Sequence, residues 1–498
     1  MVTWMMMSSA SFRARPGGSE ALGQEDEEDG VRPQYQSTEQ TFAESAGRDL
    51  YFQGMDEALA QKVLLAPAHE LDDASERYIA AERLKFFPSE ASTRALIKCV
   101  TSLPIQCLDD RVARRKAVET LGRYAGRFCR DEVLIVLRGC LRDDDPYTVE
   151  VAVWAISQIG AGASDEAESV HPVHAELAAL LEQSGLEQQV NQRVVIQALL
   201  RLGASSAVDK IRPLIESIDG ATASAAMLAV REFSGESDFM HRFMDLLRSD
   251  DLNTRRAAIE DVTLSAYAPA LETVAKLPNS LVLRSRAVRK ILDAQRDKGQ
   301  LGGEELDADT ACLLDQLIWD HPETIDLLGL RNETKKSRAL DRNVDRLYKN
   351  DARQAYLAQL TIALEHNNDA AAQSVLASYE ALPYFDYFAA YHVFKTLGWL
   401  KAASAESMLL EQFRTLPPRF FNHQIGAGLA LASIGSRDAL PDILAIGSST
   451  RIWELKYACL IAAELLDDGG KLREQLSHDS DWLIRARARS NSDLSRLR

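Results

Sequence analysis

The chain is predicted to fold as an all-α superhelix of stacked helical hairpins, and three observations carry that expectation. The stretch from Asp109 to Gly122 returns in variant form about 35 residues later, from Asp144 to Gly160. Each copy runs from an acidic turn through a charged first turn and an Ala-rich apolar stripe to a Gly. Ala and Leu are abundant and alternating β-branched residues scarce, which favours helix over strand. A helix of this pattern cannot bury its apolar face alone, so it must stack on copies of itself.

The elements follow in order. Residues 1–48 hold Pro, Gly, Ser and an acidic run from Glu25 to Asp29, with little periodic apolar content, and read as a disordered extension. Residues 49–293 form a first repeat block, with second-helix cores at Arg114–Gly122, Glu150–Gly160, Arg193–Gly203, Ser224–Ser234, Arg255–Leu264 and Ser285–Leu292. Their starts lie 30 to 43 residues apart, a scatter typical of HEAT or armadillo hairpins and wider than strict ankyrin or TPR units allow. Residues 294–352 break the rhythm with a loop from Gly299 to Glu305 and a charged run from Glu333 to Arg346, and are expected to be an irregular connector. Residues 353–498 resume the pattern at Tyr391–Trp399, Gln424–Gly435, Glu454–Leu466 and Trp482–Arg489.

The 498 residues are 46% hydrophobic and 26% charged, normal for a folded protein. No apolar run reaches the roughly 18 residues a bilayer span needs, so membrane insertion is not expected. A net charge of −17 argues against a nucleic-acid backbone as partner. Six cysteines lack CxxC pairs and His companions, which points to reduced, buried thiols and a cytoplasmic setting. No metal site is expected, because His171 and His174 have no nearby acidic or Cys ligands.

Solenoids bind along the concave face, lined mainly by second helices. The first turns of those helices carry Arg111, Arg114, Arg115 and Lys116, then Tyr147 and Glu150, then Arg193, Arg255, Arg256, Arg284 and Arg286. A row of guanidinium groups in an acidic protein suits carboxylates or phosphates. The alternative is an Arg–Asp ladder between repeats, for which Asp109, Asp110 and Asp143 to Asp145 are available. Aromatics make up only 7% of the chain, yet Tyr384, Tyr387, Tyr391 and Phe394 fall on one helical stripe, with Phe388 and His392 on the next. Such a stripe could stack on a flat ligand or simply be core. Trp453, Lys456 and Tyr457 repeat the theme. No phosphate-cradling Gly-rich loop, HExxH or GxSxG motif is present.

Several segments taken together resemble one family. They are Glu76 to Ala81, Phe87-Pro-Ser-Glu90, Arg114 to Arg123, Asp143 to Ile156 (with its Asp-Asp-Asp-Pro-Tyr-Thr-Val-Glu start), Asp320-His-Pro322, His392 to Lys401 and Ile452 to Ala458. Their order is that of the HEAT-repeat phycobilin lyases of the E/F type, and the nearest branch is the phycoerythrobilin lyases of phycoerythrin α subunits. The resemblance runs from about Arg48 to the C-terminus.

It implies attachment of phycoerythrobilin, a linear tetrapyrrole, to a cysteine of the apo-phycoerythrin α subunit. That cysteine would add to the exocyclic ethylidene carbon of ring A, so the enzyme needs no nucleophile of its own. The bilin is substrate, and no permanently bound cofactor is expected. Arg111, Arg114 and Arg115 are expected to hold propionates. Glu150 and Asp145 are expected at the pyrrole nitrogens or in proton transfer, with His392 as a further acid. Tyr147, Trp154, Tyr391, Trp399 and Trp453, with Lys456 beside the last, are expected as walls, although Trp154 also fits a core position. Alternatives are a lyase-isomerase yielding phycourobilin and a non-catalytic chaperone for apo-phycoerythrin; a partner lyase or chaperone is a further open question. The expected setting is cyanobacterial cytosol or plastid stroma.

Overall fold

The computed structural model describes residues 54–490, apart from 74, 105–106, 162–166, 183–189, 301–305, 328–338, 383–385 and 467–468. The extension expected over 1–48, Tyr384 and the side chain of His171 lie outside the described residues. Everything described is helix, turn or irregular connection. No described helix is long and apolar enough to cross a membrane.

Short polar residues decide where the second helices begin. Asn191, Asp219, Asp251 and Ser280 accept first-turn backbone N–H groups in the helices Gln192–Leu202, Gly220–Ser234, Leu252–Ser265 and Leu281–Asp297. Asp145 does the same for Pro146–Ala161, accepting from the Thr148 amide at 3.0 Å. In the second copy of the sequence repeat the acidic turn is therefore a cap, whereas in the first Asp109 and Asp110 lie within the first helical turn and the N-cap Cys107 makes no side-chain bond. Gly203 and Gly235 end two of these helices in the left-handed region, at φ +69° and +76°.

Successive second helices, from Leu108–Arg123 to Leu281–Asp297, pack closely along their length, whereas the first helices Glu90–Ser102 and Arg130–Cys140 touch lightly. Missing side chains make the tightness possible: a Cβ on Gly122 would sit 2.7 Å from the Ala155 Cβ. The same device recurs in the later helices Tyr387–Trp399 and Phe421–Ile434, where a Cβ on Gly398 would sit 2.7 Å from that of Ala430.

The stretch 294–352 departs from the expected irregular connector. It contains the helices Ala308–Trp319 and Leu340–Leu347, the first capped by Asp307 onto the Thr310 amide. The first helix buries Ala311, Leu314, Asp315, Leu317, Ile318 and Trp319. A helix enclosed this fully has no polar face to give a clear period, and the charge run beside it hides it further.

This helix organises everything after it. The second helices Ala352–Glu365, Tyr387–Trp399, Trp453–Leu465 and Trp482–Arg489 each send a side chain to it. Asp320, at its C-cap with φ +52°, is fully buried. It accepts from Arg284 at 2.5 Å, from the Tyr356 hydroxyl at 2.8 Å and from the Tyr391 hydroxyl. Lys395 donates to the Trp319 carbonyl. One and a half turns earlier, Asp315 accepts from Tyr457 at 2.7 Å and Arg487 at 2.6 Å.

Two imidazoles are locked neutral by this packing. Burial lowers His321 to about 4 and His392 to about 4. Unfolding returns both to water, where histidine titrates near 6.5. Between pH 6.5 and 4 the unfolded chain therefore takes up protons that the folded chain refuses, and stability falls as pH falls through that window. Urea midpoints should drop from pH 7 to pH 4.5, and less steeply in His392→Gln. An equal slope in that variant would show that His392 does not contribute.

Candidate functional site

Most of the arginine row is structural. Arg114 donates to Asp143 at 2.7 Å and to the Val100 carbonyl at 3.0 Å. Arg255 bonds the Ser249 and Asp250 carbonyls, and Arg284 bonds those of Ala275 and Asn279. Each guanidinium closes the turn before its own helix, which is the ladder reading. Arg114 is thus corrected from propionate partner to structural pin: its donors are directed into the fold, and its side chain is only 9% exposed.

Arg193 does something different. It reaches past the helix Gly220–Ser234 to the Ala257 carbonyl, Glu260 and Asp261 of the helix Leu252–Ser265. The passed helix presents Ser224, which joins the same Asp261 at 2.7 Å, and it is otherwise largely Ala at this level. This bridge ties Gln192–Leu202 to Leu252–Ser265; the surface shared by the helices Leu108–Arg123, Pro146–Ala161 and Gln192–Leu202 before it is termed the trough.

The trough holds a consistent group. Arg115 pairs with both Asp145 oxygens, at 2.6 and 2.5 Å, and its guanidinium lies 4.7 Å from the Tyr147 ring centre. Tyr147 is 46% exposed, so one face of the ring meets solvent. Glu150 is one turn on, and Trp154 another, so Tyr147, Glu150 and Trp154 form one stripe at helical spacing. All three are at least partly exposed while the opposite face, with Val149, Val153 and Ile156, is buried. Trp154 lies against Gly122, so its ring is half core and half trough wall. Arg111, on the preceding helix, is partly exposed and pairs with no carboxylate among the described residues.

The two carboxylates divide their roles. Asp145 also accepts from the Thr148 amide and hydroxyl, and although burial opposes it, Arg115 and Thr148 hold its carboxyl below the usual aspartate value. A carboxylate this occupied stays ionised, so Asp145 is corrected from proton carrier to the group that orients Arg115. Glu150 has one neutral donor, the Asn191 amide at 3.0 Å, and burial with the nearby Asp145 charge raises its carboxyl. A carboxyl shifted toward neutrality can give and take a proton. Arg201, which the sequence reading overlooked, joins the trough through a 3.3 Å contact with Ser157. Its four-residue steps from Arg193 through Gln197 were the available signal.

The aromatic helix of the second block does not join this group. Tyr391 and His392 are buried, one bonded to Asp320 and the other packed against Tyr356, Phe388 and Tyr391. Their expected roles as wall and acid are corrected: both serve the core around Asp320, and His392 is too weakly basic to carry a proton near neutral pH. Trp399 is partly exposed but packs on His321, with the Lys395 ammonium 5.3 Å from its ring centre. Trp453 and Lys456 lie elsewhere, in a cleft of about 620 Å³ against Arg289 of the first block. Among the described residues no cluster of His, Cys, Asp or Glu could hold a metal ion.

No protein-family model matches the chain. It is 32% identical over 435 residues to an uncharacterized phycocyanin operon protein Y of Pseudanabaena tenuis, covering 87% of this chain and 97% of that protein. The chain belongs to the E/F-type phycobilin lyase family. It is also 28% identical to the bilin biosynthesis protein CpeY of a Synechococcus species, over 85% of this chain and 98% of that one. The phycocyanobilin lyase subunit alpha of a Picosynechococcus species is 26% identical over 52% of this chain and 96% of its own length. That shorter lyase subunit spans about half of this chain.

The geometry separates two arginines one helical turn apart. Arg114→Ala should destabilise the protein by about 3–5 kcal/mol, because it strands a buried Asp143. Arg111→Ala, which breaks no pair, should fall within about 0.5 kcal/mol of wild type. Thermal melting of the two variants checks the order, and equal melting temperatures would contradict it.

Proposed function

We propose that this protein is a bilin lyase that attaches phycoerythrobilin to a cysteine of the phycoerythrin α subunit, holding the chromophore in the first-block trough. Its relatives include proteins named for bilin biosynthesis and for phycocyanobilin lyase activity, which supports bilin attachment to phycobiliproteins as the reaction class. The choice of chromophore and acceptor rests on the motif resemblance. The observation that carries the site is Glu150, a carboxyl of raised proton affinity flanked on one stripe by Tyr147 and Trp154, with Arg115 at its head.

The chemistry follows from those groups. A bilin carries two propionates, a conjugated face and inner pyrrole nitrogens. Arg115 and Arg111 offer charge-assisted bonds to the propionates, and Tyr147 and Trp154 offer ring faces. Glu150 is suited to move a proton at a pyrrole nitrogen. The acceptor thiol adds across the exocyclic ethylidene bond of ring A: a C–S bond forms, the C=C bond breaks, and the thiol proton ends on the tetrapyrrole. Holding the two reactants in register is the lyase's main contribution, with Glu150 as the proton relay. An ionised Asp145 keeps Arg115 from folding back over Glu150.

Incubation of the protein with phycoerythrobilin and apo-α-subunit tests this reading. The subunit should acquire denaturation-resistant, fluorescent pigment, and Glu150→Gln should slow attachment by about 10²-fold or more while still binding bilin. Product absorption shifted to the blue would identify a lyase-isomerase instead, through loss of a conjugated double bond. Better subunit solubility without pigment would support a chaperone and refute the lyase.

A further inference from the structure

The cleft at the junction of the two blocks is absorbed neither by the trough nor by the core. It lies between the helix Leu281–Asp297 and the starts of the helices Trp453–Leu465 and Trp482–Arg489, and encloses about 620 Å³. That size falls within the range of small-molecule sites. Its lining includes Arg289, Arg296, Arg451, Lys456 and Arg485 against only Asp479 and Asp481, an excess of three positive charges in a chain of net charge −17.

The walls are built rather than incidental. Arg289 makes two 2.9 Å bonds to Asp481 and lies 5.8 Å from the Trp453 ring centre and 5.5 Å from that of Trp482. The Trp482 indole N–H donates to Asp293 at 2.7 Å, and Lys456 pairs with Asp479 at 2.6 Å. These pairs neutralise both aspartates and fix the two indoles. Arg451 is left with no carboxylate partner among the described residues, and Arg296 has only the exposed Asp297 beside it in sequence, at 3.4 Å. The guanidinium groups of Arg451 and of Arg296, the latter 5.1 Å from the Trp482 ring centre, line the cleft together with the two indoles and suit a flat apolar body carrying two separated carboxylates.

We propose that this cleft is a second tetrapyrrole site, which holds a free bilin through its propionates apart from the trough where transfer occurs. The proposal rests on the trough being the transfer site. Arg451 and Arg296 take one propionate each, and Trp453 and Trp482 border the conjugated body.

Titration of the full-length protein with biliverdin, a linear tetrapyrrole with two propionates, followed by visible absorbance and circular dichroism, tests it. Wild type should bind two equivalents. Arg451→Glu combined with Arg296→Glu should weaken one of them at least tenfold and leave the melting temperature unchanged, since both side chains are exposed. Arg115→Ala should weaken the other equivalent alone. Biliverdin dimethyl ester should fail to occupy the cleft. An unchanged titration in the Arg451/Arg296 variant overturns the proposal and leaves the trough reading intact. Wild type binding only one equivalent, lost in the Arg451/Arg296 variant and unchanged by Arg115→Ala, overturns the trough reading instead.

Discussion

The second half of the molecule depends on one buried helix end. Asp320 and Asp315 are carboxylates on the helix Ala308–Trp319 and its cap, and between them they collect Arg284, Tyr356, Tyr391, Tyr457 and Arg487. An ionised carboxylate removed from water is tolerated only where charge-assisted and neutral donors replace its hydration. The donors come from five different helices, so satisfying these two groups fixes the order in which the helices wrap. The left-handed conformation of Asp320 belongs to the same constraint, because it ends the helix and turns the carboxylate toward Arg284. Arg284 keeps its charge there: burial opposes it, but Tyr356 and Asp320 outweigh the burial.

Functional consequences follow from that closure. A solenoid normally offers its inner layer to a ligand. In the second block that layer is occupied by a helix of the chain itself, so its aromatic and basic side chains become core. The first block keeps its inner face open until Arg193 bridges to Asp261. The proposed chromophore site thereby falls on three adjacent helices, where the Glu150 carboxyl is partly exposed and still has its proton affinity raised by burial. The cleft beside Arg289 exists because the same closure brings the last two helices back against Leu281–Asp297.

Much of this was legible in the sequence. The repeat from Asp109 to Gly160 announced the hairpins, and the acidic turns marked the helix starts. Tyr147 and Glu150 were expected on the binding face from their place in the first turn of a second helix, whereas the common stripe with Trp154, for which a core position fitted equally, emerged only with the structure. Other features were not accessible, for physical reasons. A guanidinium bonded to a carbonyl and a carboxylate, as in Arg114, and one that pairs with no carboxylate among the described residues, as in Arg111, sit one turn apart on the same helix and read alike. The stripe at Tyr391 reads the same whether it faces a flat ligand or a buried aspartate seventy residues away. Only Asp320-His-Pro322, inside a stretch that looked irregular, could have supplied that partner.

Hydrogen–deuterium exchange of the full-length protein with and without bound bilin tests the account most directly. Added protection is expected in the helices Leu108–Arg123, Pro146–Ala161 and Gln192–Leu202, and none in Tyr387–Trp399 or Phe421–Ile434. Protection gained in those two later helices, with the first three unchanged, would contradict it.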